Sequence, residues 1–191
     1  MRIARLLVRH EVRVLVSLVL WVARRTHGAQ RGRAFGYARG QGAMTAGFAF
    51  VCVVETVAMS VLLRDFPTAH AVFLFLDVYG VVVVVGLHAS SVVRPHVLDL
   101  EDGSLRIRRY VHVDLRVPLE RIASVRRELR MTHEPADGEL NVEVGSRTSV
   151  TLELTGPVTV TFFGRRREVR VVRFHADDAD GLVRALGRAR V

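Results

Sequence analysis

A membrane α-hairpin of two transmembrane helices, followed by a cytoplasmic all-β domain with a C-terminal capping helix, is the fold class this sequence predicts. Three observations carry it. Two long apolar runs, 44–63 and 68–93, flank the short segment 64–67. Beyond residue 93 the pattern changes to alternation of apolar and polar residues, the mark of a half-buried strand. Near residue 177 it changes again, to the spacing of a short amphipathic helix.

The apolar runs come first in the argument because each is long enough for a hydrocarbon core of about 30 Å, which takes roughly 20 residues. Half of the 191 residues are hydrophobic and the mean hydropathy is +0.25, high for a chain that is also 25% charged. The charges are segregated. Residues 44–63 contain only Glu55, and residues 68–93 only Asp77 together with His70 and His88. All 28 basic residues are arginine, a bias that fits a GC-rich genome. The single cysteine, Cys52, lies inside the first span, which excludes a disulfide framework or a cysteine-based zinc site within one chain.

The N-terminal segment 1–43 is basic, with nine arginines against Glu11. It does not read as a signal peptide, since Arg5, Arg9 and Arg13 recur through it and Ala23-Arg24-Arg25 is no cleavage site. Arg2, Arg5, Arg9 and Arg13 share one helical face, and Leu6, Leu7, Leu15, Leu18 and Trp21 fill much of the rest. An amphipathic helix in the membrane interface explains both sets. A third span is the competing reading, although 12–23 alone is too short. The glycine- and arginine-rich stretch 26–43 reads as a linker. Because arginine-rich flanks stay cytoplasmic, both termini are expected inside the cell (inner) membrane and the 64–67 tip outside.

From residue 94 to 191 the sequence predicts a β domain with a core large enough to fold alone. Leu105, Ile107, Val111, Val113, Leu115 and Val117 alternate with polar residues, and Arg109 breaks the row at a bend or turn. Asp102-Gly103 is a hairpin signal. Further strands are expected over 122–130, 140–144, 149–154, 158–163 and 168–174, with turns at Gly156-Pro157 and Gly164-Arg165. A helix then follows, with Asp177 or Asp178 as its N-cap and Leu182, Val183 and Leu186 as its apolar stripe. About seven antiparallel strands and one closing helix outline a small sandwich or barrel.

That outline resembles the bacterial PH-like domains, often attached to membrane helices in actinobacterial integral membrane proteins. The likeness is carried by the run from Leu115 through Pro118, Leu119 and Ile122 to Val125, and by the ending from Arg173 and Phe174 through Asp178 to Val183. It covers about half the chain and rests on loose packing patterns. The resemblance implies a binding or scaffolding module and carries over no catalytic residues.

Glu55 and Asp77 each lie eleven residues from Phe66, so a folded-back hairpin puts both carboxyls at one depth. A charge there costs roughly 2.5–3.5 kcal/mol on insertion scales. His70 and His88 fall within about 20° of the Asp77 face of a helix. The acids serve either as interhelical glue, as recognition groups for a partner in the membrane, or as part of a proton or cation path with His88. Arg165, Arg166 and Arg167 in a hairpin turn are candidate contacts for lipid phosphates. The alternative is a solvated basic face beside an anionic leaflet. His96, His112, His133 and His175 are scattered without metal-ligand spacing, and no phosphate loop or nucleophile elbow occurs. No catalytic residue, cofactor or metal is therefore assigned. The expected function is a non-enzymatic, membrane-anchored scaffold engaging the bilayer and a protein partner or a second copy, with no nucleic acid. The rival is a subunit of a transport or channel assembly.

Overall fold

Residues 2–29, 32–132, 134, 136–162 and 165–189 are described by the computed structural model, without the side chains of 2–7, 161, 162 and 165. The arginine face at Arg2 and Arg5, and the turn residue Gly164, thus lie outside the described positions.

Helix α1 spans Arg2–Val22, α2 spans Gln41–Leu62 and α3 spans Pro67–Val93. Gly40 precedes α2 at φ +86°, a left-handed conformation that suits glycine at a sharp entry. Pro67 opens α3 at the first helical position, where its missing N–H costs nothing. Both α2 and α3 are long and apolar enough to cross a membrane. No residue of α2 is buried within the chain, so valine and phenylalanine side chains such as Phe48, Val51 and Val57 face outward.

α1 docks on the second half of α3. Val14 is 2% exposed, and its Cγ1 lies so close to Gly86 that a Cβ there would clash with it. Ser17 is fully buried and returns its hydroxyl to the Arg13 carbonyl at 2.7 Å. The helix read as interfacial is therefore packed against the hairpin through its small residues. Close approach at Gly86 gives an expected result. Gly86→Ala should lower stability by about 1–3 kcal/mol, because the stiff valine cannot yield. Val14→Ala in the same chain should restore part of it. Thermal unfolding in neutral detergent measures this, and strictly additive losses would rule out the contact.

Among the described residues the β domain holds two four-stranded sheets. The first is an antiparallel meander in the order β1 (Arg33–Phe35), β2 (His96–Asp99), β3 (Ser104–Arg109) and β4 (Val113–Pro118). Asp102-Gly103 forms the β2–β3 turn, with Gly103 at φ +56°. The apolar row broken at Arg109 resolves into a second hairpin, in which Arg109 pairs with Val113 and Tyr110 takes φ +50°. The segment read as a linker contributes β1, whose Arg33 and Phe35 pair with Leu98 and His96. The domain is thus not confined to 94–191. The helical hairpin is inserted between its first and second strands.

The second sheet runs in the order β5 (Ile122–Arg130), β7 (Thr148–Phe162), β8 (Arg165–Phe174) and β6 (Glu139–Val142). Two strand expectations are corrected. β7 continues through Gly156-Pro157 as one strand, and the proline is absorbed where the β7–β8 register shifts between Glu153 and Val158. β6 pairs with β8 in parallel, not antiparallel, and the buried Arg173 grips both Glu139 oxygens across that pairing. Both sheets contribute to one core, from Phe35, Leu105 and Ile107 to Leu152, Val172 and Phe174. Helix α4 (Ala179–Ala189) closes it with Leu182 and Leu186, and Asp178 is its N-cap, accepting the Gly181 N–H at 2.8 Å.

Candidate functional site

Glu55 and Asp77 occupy the middles of α2 and α3, but no described hydrogen bond joins them. The Glu55 side chain is exposed. Asp77 is half-buried, and its Oδ2 is enclosed without a hydrogen-bond partner among the described residues. Nε2 of His70 and Nδ1 of His88 are enclosed in the same way. His88 lies between Trp21, whose ring meets it edge-on at 6.0 Å, and Gly42 at the start of α2.

Arg166 and Arg167 are exposed on β8, while the Arg165 side chain lies outside the described positions. Arg165 pairs through its backbone with Phe162, at the end of the β7–β8 ladder.

A different set of residues is drawn together where the end of α3 meets the β domain. The period-two pattern of β3 sends Leu105 and Ile107 into the core, so Arg106 and Arg108 emerge on the opposite face. That face is also covered. Arg108 is 2% exposed and donates through Nη1 to the His27 carbonyl at 2.7 Å and through Nη2 to the Gly28 carbonyl at 3.4 Å. Arg106 binds Asp114 through two hydrogen bonds of 2.5 Å, and the Arg108 Nε stands 3.6 Å from the same carboxylate. Burial pushes the Asp114 carboxyl up, but the Arg106 hydrogen bonds and neighbouring positive charges prevail and hold it below its ordinary value.

The helices reach into the same place. Arg94 follows α3 and donates to the Ser17 hydroxyl of α1 at 3.3 Å. Arg13 of α1 donates to the Val111 carbonyl at 3.4 Å, and the His10 ring stacks on His112 at 4.8 Å. The His27 N–H donates to the Val93 carbonyl at 2.8 Å. On the core side of the sheet, the Tyr110 N–H donates to the Tyr37 hydroxyl at 2.8 Å. His96 receives the Arg108 N–H on Nδ1, and its Nε2 meets the His175 carbonyl at 2.8 Å. That geometry assigns the proton to Nε2. Complete burial pushes the His96 imidazole down to about 4.

The β3–β4 turn also walls an apolar cavity of about 530 Å3, with Met44 and Phe48 of α2 and Val84 and Leu87 of α3 opposite. Arg109 borders it, with its Nε enclosed and unpartnered among the described residues.

Sequence reasoning named the Arg165–Arg167 run and missed the convergence of Arg13, Arg94, Arg106 and Arg108. The alternation of Arg106 and Arg108 with Leu105 and Ile107 signals a shared strand face. Nothing local brings Arg13 and Arg94 to that face. The molecule these observations define is a β domain joined through an arginine-rich junction to two helices long and apolar enough to cross a membrane. No protein-family model matches the chain, and no similar curated protein or solved structure is found.

Proposed function

We propose that this chain is a membrane-anchored, non-enzymatic binding or scaffolding module whose β domain stands on the cytoplasmic face of the inner membrane, with both termini inside. The observation that carries the reading is the clamp at the junction. Bonds from α1 and from the 26–40 segment end on the β3–β4 hairpin, and Arg94 after α3 is tied to Ser17 of α1. Such a clamp fixes the orientation of the β domain relative to the spans, which suits display of a surface to a partner. Two sheets closed by a C-terminal helix support a PH-like reading of the domain, although its parallel β6–β8 pairing departs from the antiparallel outline.

In-membrane crosslinking at native expression tests the reading, with photoreactive residues placed at Glu55 and at the exposed Leu129. The same foreign protein recovered from repeated captures supports an adaptor, whereas crosslinks to this chain alone replace it with a homo-oligomer.

A second reading is favoured by the outward-facing Glu55 and the unpartnered Asp77 oxygen. These groups meet a neighbouring helix in the membrane, either for recognition or as part of a proton or cation path. Glu55→Gln with Asp77→Asn separates the two roles. A scaffold keeps its partner and loses stability at most, while a conductor loses flux in proteoliposomes yet stays assembled. Undiminished flux in the double variant would end the conduction reading.

A further inference from the structure

The four arginines at the junction enclose a cavity of about 350 Å3 between α1 and the β3–β4 hairpin, together with His27 and Asp114. That volume lies within the range of about 300–1,000 Å3 typical of small-molecule sites. The charge in it is unbalanced. Asp114 is the one carboxylate lining the cavity among the described residues, against Arg13, Arg94, Arg106 and Arg108. Two of the four are already committed. Arg106 is held by Asp114, and Arg108 by the His27 and Gly28 carbonyls. Arg94 is different. It is only 9% exposed, its one described hydrogen bond goes to a neutral hydroxyl, and no described carboxylate pairs with it. The described side-chain hydrogen bond of Arg13 likewise goes to a carbonyl.

A buried guanidinium without a counter-charge is costly in a protein interior, because the hydration it loses is not replaced. The structure shows the strain in its neighbours. Loss of hydration first, and then the positive charges of Arg94 and Arg108, push His27 below its ordinary value. Burial and the charge of Arg13 push Arg94 down as well. Planar guanidinium forks match the oxygens of a phosphoryl group, which accepts paired hydrogen bonds from them.

The geometry points to a phosphate-binding site in this cavity, where Arg94 and Arg13 donate to the oxygens of the ligand and Arg106 and Arg108 keep the opposite wall positive. Arg94 directly follows Val93, the last residue of α3. If α3 spans the bilayer, the site lies at the depth of phospholipid headgroups, and only that lipid source rests on the function proposed above. A free phosphate uses the same donors.

The full-length chain in neutral detergent, titrated with inorganic phosphate and followed by thermal unfolding, tests the site itself. The same chain in phosphatidylcholine nanodiscs with and without phosphatidic acid, followed by native mass spectrometry, tests the lipid source. Arg94→Gln should weaken phosphoryl binding about tenfold, the equivalent of one charge-assisted hydrogen bond, and Arg94→Lys should retain part of it. Asp114→Asn should strengthen binding, because it removes the one competing carboxylate. Arg166→Gln with Arg167→Gln should leave it unchanged. Retention of phosphatidic acid without a response to inorganic phosphate assigns a lipid headgroup. A response to inorganic phosphate alone assigns a soluble anion, and leaves the membrane reading to its own test. The site is overturned if the wild-type chain responds to neither probe, if Arg94→Gln and Asp114→Asn both bind as the wild type does, or if the Arg166/Arg167 pair weakens binding equally.

Discussion

Residues 94–191 produced without the preceding chain should fail to form the native β domain, and joining residues 32–40 to residue 94 by a short glycine–serine linker should restore it. The missing segment carries Phe35, 4% exposed in the core, and Tyr37, which is wholly buried. It also carries backbone anchors. The Asp177 N–H donates to the Gly36 carbonyl at 2.8 Å, and the Asp177 carboxylate receives the Arg39 N–H at 3.1 Å. Truncating one core phenylalanine to alanine typically costs about 3–5 kcal/mol. Whole-domain stability is about 5–15 kcal/mol, so losing Phe35, Tyr37 and an edge strand together removes most of it. Phe35 pairs with His96, so residue 40 and residue 94 leave the sheet at the same end and a short linker closes the gap. Urea unfolding of the two fragments distinguishes the outcomes. A sharp, equally stable transition for 94–191 alone would show that β1 is dispensable.

Acidification from pH 6.5 to 4 should remove about 3 kcal/mol of stability through His96 alone. This histidine is 1% exposed and neutral in the fold, with a pKa of about 4 against an ordinary 6.5. The unfolded chain therefore binds the extra proton throughout that window. Stability is complete above pH 6.5 and falls as the pH approaches 4, because charging the ring puts a proton on Nδ1 and breaks its hydrogen bond from the Arg108 N–H, while the Nε2–H bond to the His175 carbonyl is kept. His27, His112 and His175 are shifted in the same direction by burial, each contributing in the same sense. His96→Leu isolates the effect. It should be less stable at neutral pH, because the Arg108 N–H and the His175 carbonyl lose their partner, while the dependence on pH should shrink by about one proton per molecule. An undiminished slope in His96→Leu would assign the acid sensitivity elsewhere.

The spans, the β5 strand, the Asp102-Gly103 turn and the closing helix are legible in the sequence because each is a local pattern. Apolar length marks α2 and α3 to within a few residues, and alternation marks β3, β4 and β5. The sequence narrows the N-cap to two aspartates, and only the fold chooses between them: Asp178 caps α4, while Asp177 is occupied by the 36–39 segment. β1 escapes because three residues are too few to show a period, and its partner lies more than sixty residues away across the hairpin. Gly156-Pro157 reads locally as a turn, yet β8 keeps β7 in one strand by pairing on both sides of the irregularity.

By itself, then, the sequence determined that two helices are membrane-length and that a β domain with a terminal helix follows them, since hydropathy and periodicity act over neighbouring residues. The tertiary structure alone decided that α1 docks at Gly86, that the 33–37 segment completes the β domain, and that Arg13 and Arg94 join Arg106 and Arg108. Those outcomes depend on close packing and on pairing between distant segments, which no local pattern records.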